Sequence, residues 1–206
     1  MSPTRRPDRA VLLAHGAGSD RNSAALTTVD GRLGAAGIPC LRFDYPYRQA
    51  GRKAPDRPPV LEHATREAAT RLAAETGLAP ERLVLGGRSM GGRYCAMVAG
   101  HETDPVAALG LVLLGYPLHP AGRPEKLRTE HFPRLTMPVL FVSGDRDALA
   151  PRKSLEEAAT AIPGPVTFHW LPGADHGYRA PRASGRTPGA ILEDVAEVTA
   201  AWVAAL

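Results

Sequence analysis

The stretch Leu85-Gly86-Gly87-Arg88-Ser89-Met90-Gly91-Gly92 lies where a short apolar run ends and a helical pattern begins. It contains the spacing Gly-x-Ser-x-Gly, with Ser89 between Gly87 and Gly91. A chain that turns sharply from strand to helix crowds the positions two before and two after the serine, so both need glycine. The stretch therefore predicts a buried strand, a tight turn that exposes the Ser89 hydroxyl, and a helix. The plainer alternative is a glycine-rich turn that only packs the helix on the strand.

The same alternation of strand and helix extends along the chain. Short runs rich in Val, Leu, Ile and Phe, typical of strands buried on both faces, span residues 10–14, 38–43, 83–85, 108–114, 138–143 and 166–171. Segments with helical spacing span residues 22–36, 61–76, 90–100, 152–162 and 189–206. This order predicts a doubly wound α/β fold, a mainly parallel sheet of about six strands flanked by helices. Functional side chains then collect on the loops after the strands.

Composition limits the class of protein. Of the 206 residues, 44% are hydrophobic and 22% are charged, which are average values for folded globular chains and exclude disordered and fibrous classes. No repeat or long linker interrupts the pattern, so we expect residues 1–206 to form a single domain. The formal net charge of +4 is too small to indicate nucleic acid as a partner. Oligomeric state is left open.

The sequence also predicts the compartment. No stretch approaches the roughly 20 apolar residues of a membrane helix, so we expect no membrane partner. The arginine-rich N-terminus is followed by too short an apolar run for a secretion signal. Cys40 and Cys95 lie in apolar stretches at no metal-ligand spacing, so neither a disulfide nor a metal site is indicated. We therefore expect a cytoplasmic protein.

Two later strand ends carry the groups that would activate a serine. Asp145 and Asp147 follow the fifth strand, and His176 follows the sixth. A serine hydroxyl is a weak nucleophile until a base takes its proton, and the base needs a third group to hold it. The sequence thus predicts a catalytic set of Ser89, His176 and one of the two aspartates, in the chain order serine, acid, histidine.

These motifs resemble the α/β-hydrolase superfamily over nearly the whole chain, most closely its small, lidless members of the dienelactone-hydrolase-like group. In that family the acid turn reads Gly-x-x-Asp with a proline a few residues later. The pattern corresponds to Gly144, Asp147 and Pro151, so the resemblance implies Asp147 rather than Asp145 as the acid.

The resemblance also implies an oxyanion hole, which the superfamily builds in part at the end of its first buried strand. His15-Gly16-Ala17-Gly18 occupies that place. Backbone N–H groups do this work, and the expected donors are Ala17 and Met90, with Gly18 as the alternative to Ala17. His15 itself is expected to be structural rather than catalytic.

Two departures from the family plan shape the expected site. Few residues precede the first strand, so the two leading antiparallel strands of the family should be missing. Segment 117–136, between the fourth and fifth strands, is too short for a helical lid. We therefore expect an open site that suits small or exposed substrates.

The principal hypothesis is a cofactor-free serine hydrolase that cleaves small ester or thioester substrates through an acyl-enzyme. Basic residues on the loops after the second and sixth strands, among them Arg48 and Arg52, are expected to bind an anionic substrate. Arg88 and Arg93 flank Ser89 and would add to this charge, and Tyr116 is a further candidate substrate contact. The alternative is a solvated basic surface in which Arg48 only holds its own loop.

Two other functions fit part of the sequence. Residues 43–55 are similar to the hydrolase-like domain of eukaryotic chromatin-complex proteins, which favours a catalytically weak interaction module as the alternative. Gly16-Ala17-Gly18 also begins a dinucleotide-binding fingerprint, with Asp44 placed to bind a ribose. Arg21, however, occupies the position of the third glycine, which argues against this function.

Overall fold

Six strands form one sheet in the computed structural model, which describes residues 7–206. In chain order they are β1 Ala10–Ala14, β2 Cys40–Phe43, β3 Leu83–Arg88, β4 Gly110–Leu114, β5 Val139–Gly144 and β6 Val166–Leu171. Their spatial order is β2-β1-β3-β4-β5-β6, and every neighbouring pair is parallel. The predicted fold class is therefore confirmed. Residues 1–6, part of the N-terminus assessed above for a secretion signal, lie outside the described residues.

Helices fill the connections between the strands. They are α1 Ala24–Ala35, α2 Pro46–Gln49, α3 Pro58–Thr76, α4 Met90–Ala99, α5 Arg152–Ala159 and α6 Pro188–Ala205. Short 3-10 helices span Pro80–Arg82, Phe132–Arg134 and Arg182–Ser184. The sequence did not predict α2, because a single turn is too short to show helical periodicity. Within residues 7–206, no helix is long and apolar enough to cross a bilayer.

Alternate side chains of the central strands enter two separate cores. In β1, Leu12 packs into the core covered by α3, α4 and α5, whereas Val11 and Leu13 pack into the core covered by α1 and α6. Burial on both faces is the reason that β1 and β4 have continuous apolar sequences. The edge strands β2 and β6 are only half buried, which explains their polar residues.

The parallel register places four loops along one edge of the sheet. Ala14 at the end of β1 pairs with Gly87 of β3, and Gly144 at the end of β5 pairs with Leu171 of β6. The loops after β1, β3, β5 and β6 therefore meet at the carboxyl ends of the strands. In the described segment between β4 and β5, the only helix is the short Phe132–Arg134, so no helical lid covers this edge.

Candidate active site

Ser89 occupies a strained turn between β3 and α4. Its φ of 50° and ψ of −114° are unusual for any residue other than glycine, and such backbone strain costs about 1–3 kcal/mol. Neighbouring backbone holds the residue in place: the Ser89 N–H donates to the Leu114 carbonyl at 2.9 Å, and the Arg93 N–H donates to the Ser89 carbonyl at 3.0 Å. The turn presents the Ser89 side chain at the head of α4, at the edge where the loops meet.

Gly87 and Gly91 are required because β1 passes close to this turn. A Cβ atom on either glycine would lie closer than 3.0 Å to the carbonyl oxygen of Ala14. From the sequence we expected the two positions to crowd each other, but the nearest obstacle to both is the β1 backbone. The Gly-x-Ser-x-Gly spacing thus reflects the packing of the turn on β1.

Ser89, His176 and Asp147 form a continuous chain of hydrogen-bonding groups. Ser89 Oγ lies 2.9 Å from His176 Nε2, and His176 Nδ1 lies 2.7 Å from Asp147 Oδ2. A carboxylate only accepts, so Nδ1 carries the proton, and in the neutral ring Nε2 is left to accept the Ser89 hydroxyl proton. The Asp147 carboxylate is fully buried, whereas the imidazole is 26% exposed. This arrangement can activate the hydroxyl and still admit a substrate.

Of the two candidate acids, Asp147 is the one that the fold brings to His176. Its second oxygen accepts the Leu149 N–H at 2.8 Å, which fixes the carboxylate. Asp145 is exposed and accepts the Gly173 N–H at 2.8 Å. Asp145 therefore joins the loop after β5 to the loop after β6 and does not contact the imidazole.

Arg88 does not line the cavity beside Ser89 and is engaged with backbone carbonyls, contrary to the expectation that it adds to a substrate-facing charge. Its guanidinium donates to the backbone carbonyl of His176 and lies 4.4 Å from the centre of the Tyr178 ring. It also donates to the Leu114 and Gly115 carbonyls at 3.3 and 3.4 Å. Arg88 thus joins the turn that carries Ser89 to the loop that carries His176.

His15 is buried and has a structural role. Its Nδ1–H donates to the Gly16 carbonyl at 2.8 Å, and its Nε2 accepts the Tyr45 N–H at 3.2 Å, so both ring nitrogens are used. Burial lowers its pKa. The neighbouring Asp44 accepts the Arg21 N–H at 2.7 Å with one oxygen, and its other oxygen lies 3.5 Å from the Arg21 Nε. Both carboxylate oxygens thus contact Arg21, which argues against a ribose-binding role for Asp44.

A cavity of about 340 Å³ opens beside the Ser89 hydroxyl. Ala17 and Met90, the expected oxyanion donors, both line it. Met90 is the first residue of α4, so its N–H has no acceptor within the helix. The Gly18 N–H lies near the Tyr47 hydroxyl and counteracts the rise in the Tyr47 pKa that burial causes. Ala17 is thus better placed than Gly18 to face the cavity.

The three residues expected to contact substrate lie elsewhere. Arg48 donates to the Arg52 carbonyl at 3.2 Å and lies 3.5 Å from Asp20, so it holds its own loop. Arg52 is 54% exposed and is paired with Asp56 at 2.6 Å. Tyr116 is fully buried among aromatic side chains. Ion pairing and core packing therefore use these side chains, and none of the three lines the cavity.

Residues that the sequence did not single out as substrate contacts complete the cavity wall. They are Pro55, Asp56, Leu61, Tyr94, Pro117, Arg128 and Leu149, and Arg93 lines it as well. Several come from loops without periodic pattern, where no sequence signal shows which side chain turns inward. Of these residues only Arg93, four residues after Ser89, was singled out from the sequence, as added positive charge beside the nucleophile.

The fold and this site define a protein of the α/β-hydrolase type, and comparison with known proteins agrees. A family model described as an alpha/beta hydrolase domain matches residues 7–204. The chain therefore belongs to the α/β-hydrolase superfamily.

Solved structures share this fold. A dienelactone hydrolase from Anabaena variabilis is 22% identical, with 96% of this chain and 86% of that chain covered and a TM-score of 0.74. An alpha-beta serine hydrolase homologue from Coxiella burnetii is 19% identical, with 94% and 88% covered and a TM-score of 0.69. The esterase domain of a Rhodothermus marinus protein is 21% identical, with 96% and 87% covered and a TM-score of 0.67. At these identities the likeness establishes the fold.

Proposed function

We propose that this chain is a serine hydrolase that cleaves small ester or thioester substrates through an acyl-enzyme intermediate. The observation that carries the proposal is the chain of contacts from Ser89 Oγ through the His176 ring to the buried Asp147 carboxylate. These contacts meet at a strained turn next to an open cavity. Strain held at such a position is typical of a functional site.

In the acylation step, His176 Nε2 takes the hydroxyl proton of Ser89 as Oγ attacks the substrate carbonyl. The imidazolium that forms is stabilised by Asp147, whose carboxylate is buried and fixed by the Leu149 N–H. The C–O or C–S bond to the leaving group then breaks, and His176 gives its proton to that group. Water completes the cycle: it loses a proton to Nε2 and attacks the acyl carbonyl, the bond from the acyl carbon to Ser89 Oγ breaks, and the proton on Nε2 returns to Oγ as the acid leaves.

The negative charge on the carbonyl oxygen needs donors that are already in place. The N–H groups of Ala17 and Met90 are proposed for this role, because both residues line the cavity beside Ser89. The loop after β1 lies directly against the turn that carries Ser89: a Cβ on Gly16 would be in ordinary van der Waals contact with the Ser89 Cβ, at 3.6 Å.

The size of the cavity supports a small substrate. Its volume of about 340 Å³ lies at the low end of the range for small-molecule sites. The absence of a helical lid in the described segment between β4 and β5 leaves the cavity open to solvent. We therefore propose short-chain acyl esters or thioesters rather than long lipids.

The cysteines support a cytoplasmic location as part of the proposal. Cys40 and Cys95 are both free thiols. Cys95 is buried, its Sγ–H donates to the Gly86 carbonyl at 3.2 Å, and burial raises its pKa to about 12. Unpaired thiols suit a reducing compartment, and fractionation of cells that produce the protein tests this.

Turnover of 4-nitrophenyl acetate and of an N-acetylcysteamine thioester by wild type and Ser89→Ala tests the function. Ser89→Ala should lower kcat on both by about 10³-fold or more, because the nucleophile is removed. Ser154→Ala, on the exposed surface of α5, is the matched control and should retain wild-type rates. Equal rates for wild type and Ser89→Ala would overturn the proposal.

A further inference from the structure

Two arginines line the Ser89 cavity without a carboxylate partner. Arg93 and Arg128 both border the cavity that holds Ser89 and Met90. Neither takes part in any ion pair formed within residues 7–206. Arg48 and Arg52, by contrast, are both paired with aspartates. Among the residues that line this cavity, the unpaired positive charge therefore belongs to Arg93 and Arg128.

Arg93 lies one helical turn after the nucleophile. Residues four apart share a face of a helix, so the Arg93 side chain stands on the same side of α4 as Ser89. Its guanidinium lies 5.3 Å from the centre of the Tyr94 ring, and its Nε is buried with no hydrogen-bond partner in the described part of the chain. A buried donor without an acceptor is costly, so contacts within the described residues leave the Arg93 guanidinium only partly satisfied.

Arg128 reaches the same cavity from the loop between β4 and β5. Its backbone is fixed at both polar groups: its N–H donates to the Leu118 carbonyl at 2.8 Å, and its carbonyl accepts the Tyr116 hydroxyl at 2.5 Å. Burial and the charge of Arg93 lower the Arg128 pKa. The two guanidinium groups thus repel each other across a cavity that an anion would stabilise.

The carboxylates nearby leave this charge uncompensated. Asp56 also lines the cavity, but it is paired with Arg52 and that pair is formally neutral. Glu130 favours the charged form of Arg128 from an exposed position. Glu62 and Glu130 both border a neighbouring cavity, which Arg93 also lines. Because neither glutamate forms an ion pair with Arg93 or Arg128, both guanidinium groups keep free donors.

We propose that Arg93 and Arg128 form an anion-binding subsite, which selects esters or thioesters that carry a carboxylate a few bonds from the scissile carbonyl. The inference rests on the proposed function, since the subsite is part of the same cavity. The geometry is suitable because a guanidinium binds a carboxylate through two parallel hydrogen bonds. Arg93 lies one helical turn after Ser89, so we expect the bound carboxylate close to the scissile carbonyl.

The test compares two matched esters, 4-nitrophenyl hydrogen glutarate and 4-nitrophenyl pentanoate, with the enzyme-free rate subtracted. Wild type should show a kcat/KM about 10- to 100-fold higher on the anionic ester at low salt, and the advantage should shrink as salt increases. Arg93→Gln and Arg128→Gln should each lower the rate on the glutarate ester about tenfold and change the neutral ester less than about threefold. Arg71→Gln, an exposed arginine on α3, is the control and should change neither.

A second pair, 4-acetoxybenzoate and methyl 4-acetoxybenzoate, places the carboxylate on the leaving group. Preference for the anion in the first pair assigns the subsite to the acyl side, and preference in the second assigns it to the leaving-group side. Free glutarate should inhibit neutral-ester turnover competitively in wild type and at least about fivefold more weakly in Arg93→Gln. If Arg93→Gln does not fold, Arg93→Lys replaces it in the test. This variant keeps the positive charge and should retain part of the preference for the anionic ester.

Two results would overturn the subsite. One is a wild-type enzyme that prefers neither anionic ester. The other is a pair of variants that lose the same factor on charged and neutral esters. Both results require that wild type turns over at least one of the four esters. Absence of turnover of all four esters by wild type would instead contradict the proposed function, so the two failures are distinguishable.

Discussion

The guanidinium of Arg88 donates a hydrogen bond to the backbone carbonyl of His176, so the residue next to the nucleophile holds the loop that carries the base. The same side chain lies over the Tyr178 ring, and the Tyr178 hydroxyl donates to the Val142 carbonyl at 2.8 Å. The loop after β6 is therefore fixed to β3 and to β5. The distance between Ser89 Oγ and His176 Nε2 depends on both attachments.

Arg88→Met should lower kcat by about 10- to 100-fold with little change in KM, because the base is displaced while the cavity wall is kept. Arg88→Lys should recover part of the loss, since an ammonium can still donate to the carbonyl. Steady-state kinetics with 4-nitrophenyl acetate give both constants. A rise in KM at unchanged kcat would show that Arg88 acts on substrate binding instead.

Asp147 and Asp145 should differ sharply when each is replaced by asparagine. Asp147→Asn removes the charge that orients and stabilises the imidazolium, and kcat should fall by about 10³- to 10⁴-fold. Asp145→Asn, on the exposed side of the same loop, should cost less than about threefold, because the amide oxygen can still accept the Gly173 N–H. Comparable losses in the two variants would contradict the assignment of Asp147.

Gly91, two residues after the nucleophile, should tolerate no side chain. Gly91→Ala places a methyl group against the Ala14 carbonyl, so the free energy of unfolding should fall by about 1–3 kcal/mol. Gly31→Ala in α1 is the matched control: its Cβ meets nothing within 4 Å, and the change should stabilise the protein by about 0.5–1 kcal/mol. Urea unfolding measures both. An unchanged free energy of unfolding in Gly91→Ala would show that the β1 backbone does not restrict the residue at this position.

Much of this architecture could be predicted because it follows from local chemistry. The central strands are buried on both faces and show continuous apolar runs, and the turn at Ser89 needs glycines that the sequence displays. The edge strand β2 was predicted two residues too long at its start, because its half-buried backbone has no sharp apolar boundary.

The substrate contacts could not be predicted, since a sequence does not show where a long side chain turns. Arg48 and Arg52 are on the expected loop, but aspartates engage them there. Tyr116 follows β4 as expected, yet its ring points into the core. Arg128 instead reaches the cavity from a loop without periodic pattern. Long-range packing decides these orientations, and no local rule encodes it.

Acid should destabilise the protein through His131. Burial, with smaller contributions from Arg93 and Arg134, lowers the pKa of His131 from 6.5 to about 3. Between these values the unfolded chain binds a proton that the folded chain does not, so stability is complete above pH 6.5 and falls as pH decreases. The slope should approach about 1.4 kcal/mol per pH unit in that window.

Urea unfolding of wild type and His131→Gln between pH 7 and pH 4 measures this contribution. The variant should lose less stability on acidification, because glutamine does not titrate. His15, whose pKa is also lowered, contributes in the same direction but is present in both proteins. Parallel pH dependences for the two proteins would contradict the role of His131.

The intact mass of the protein after reaction with a fluorophosphonate, followed by peptide mapping, shows directly whether Ser89 is an activated nucleophile. An activated Ser89 forms a covalent bond to phosphorus and releases fluoride, with its proton taken by His176. We expect a single adduct on the peptide that contains Ser89, formed equally by Ser154→Ala and absent from Ser89→Ala. A wild-type protein that stays unmodified, or a Ser89→Ala variant that gains the same adduct, would contradict this role of Ser89.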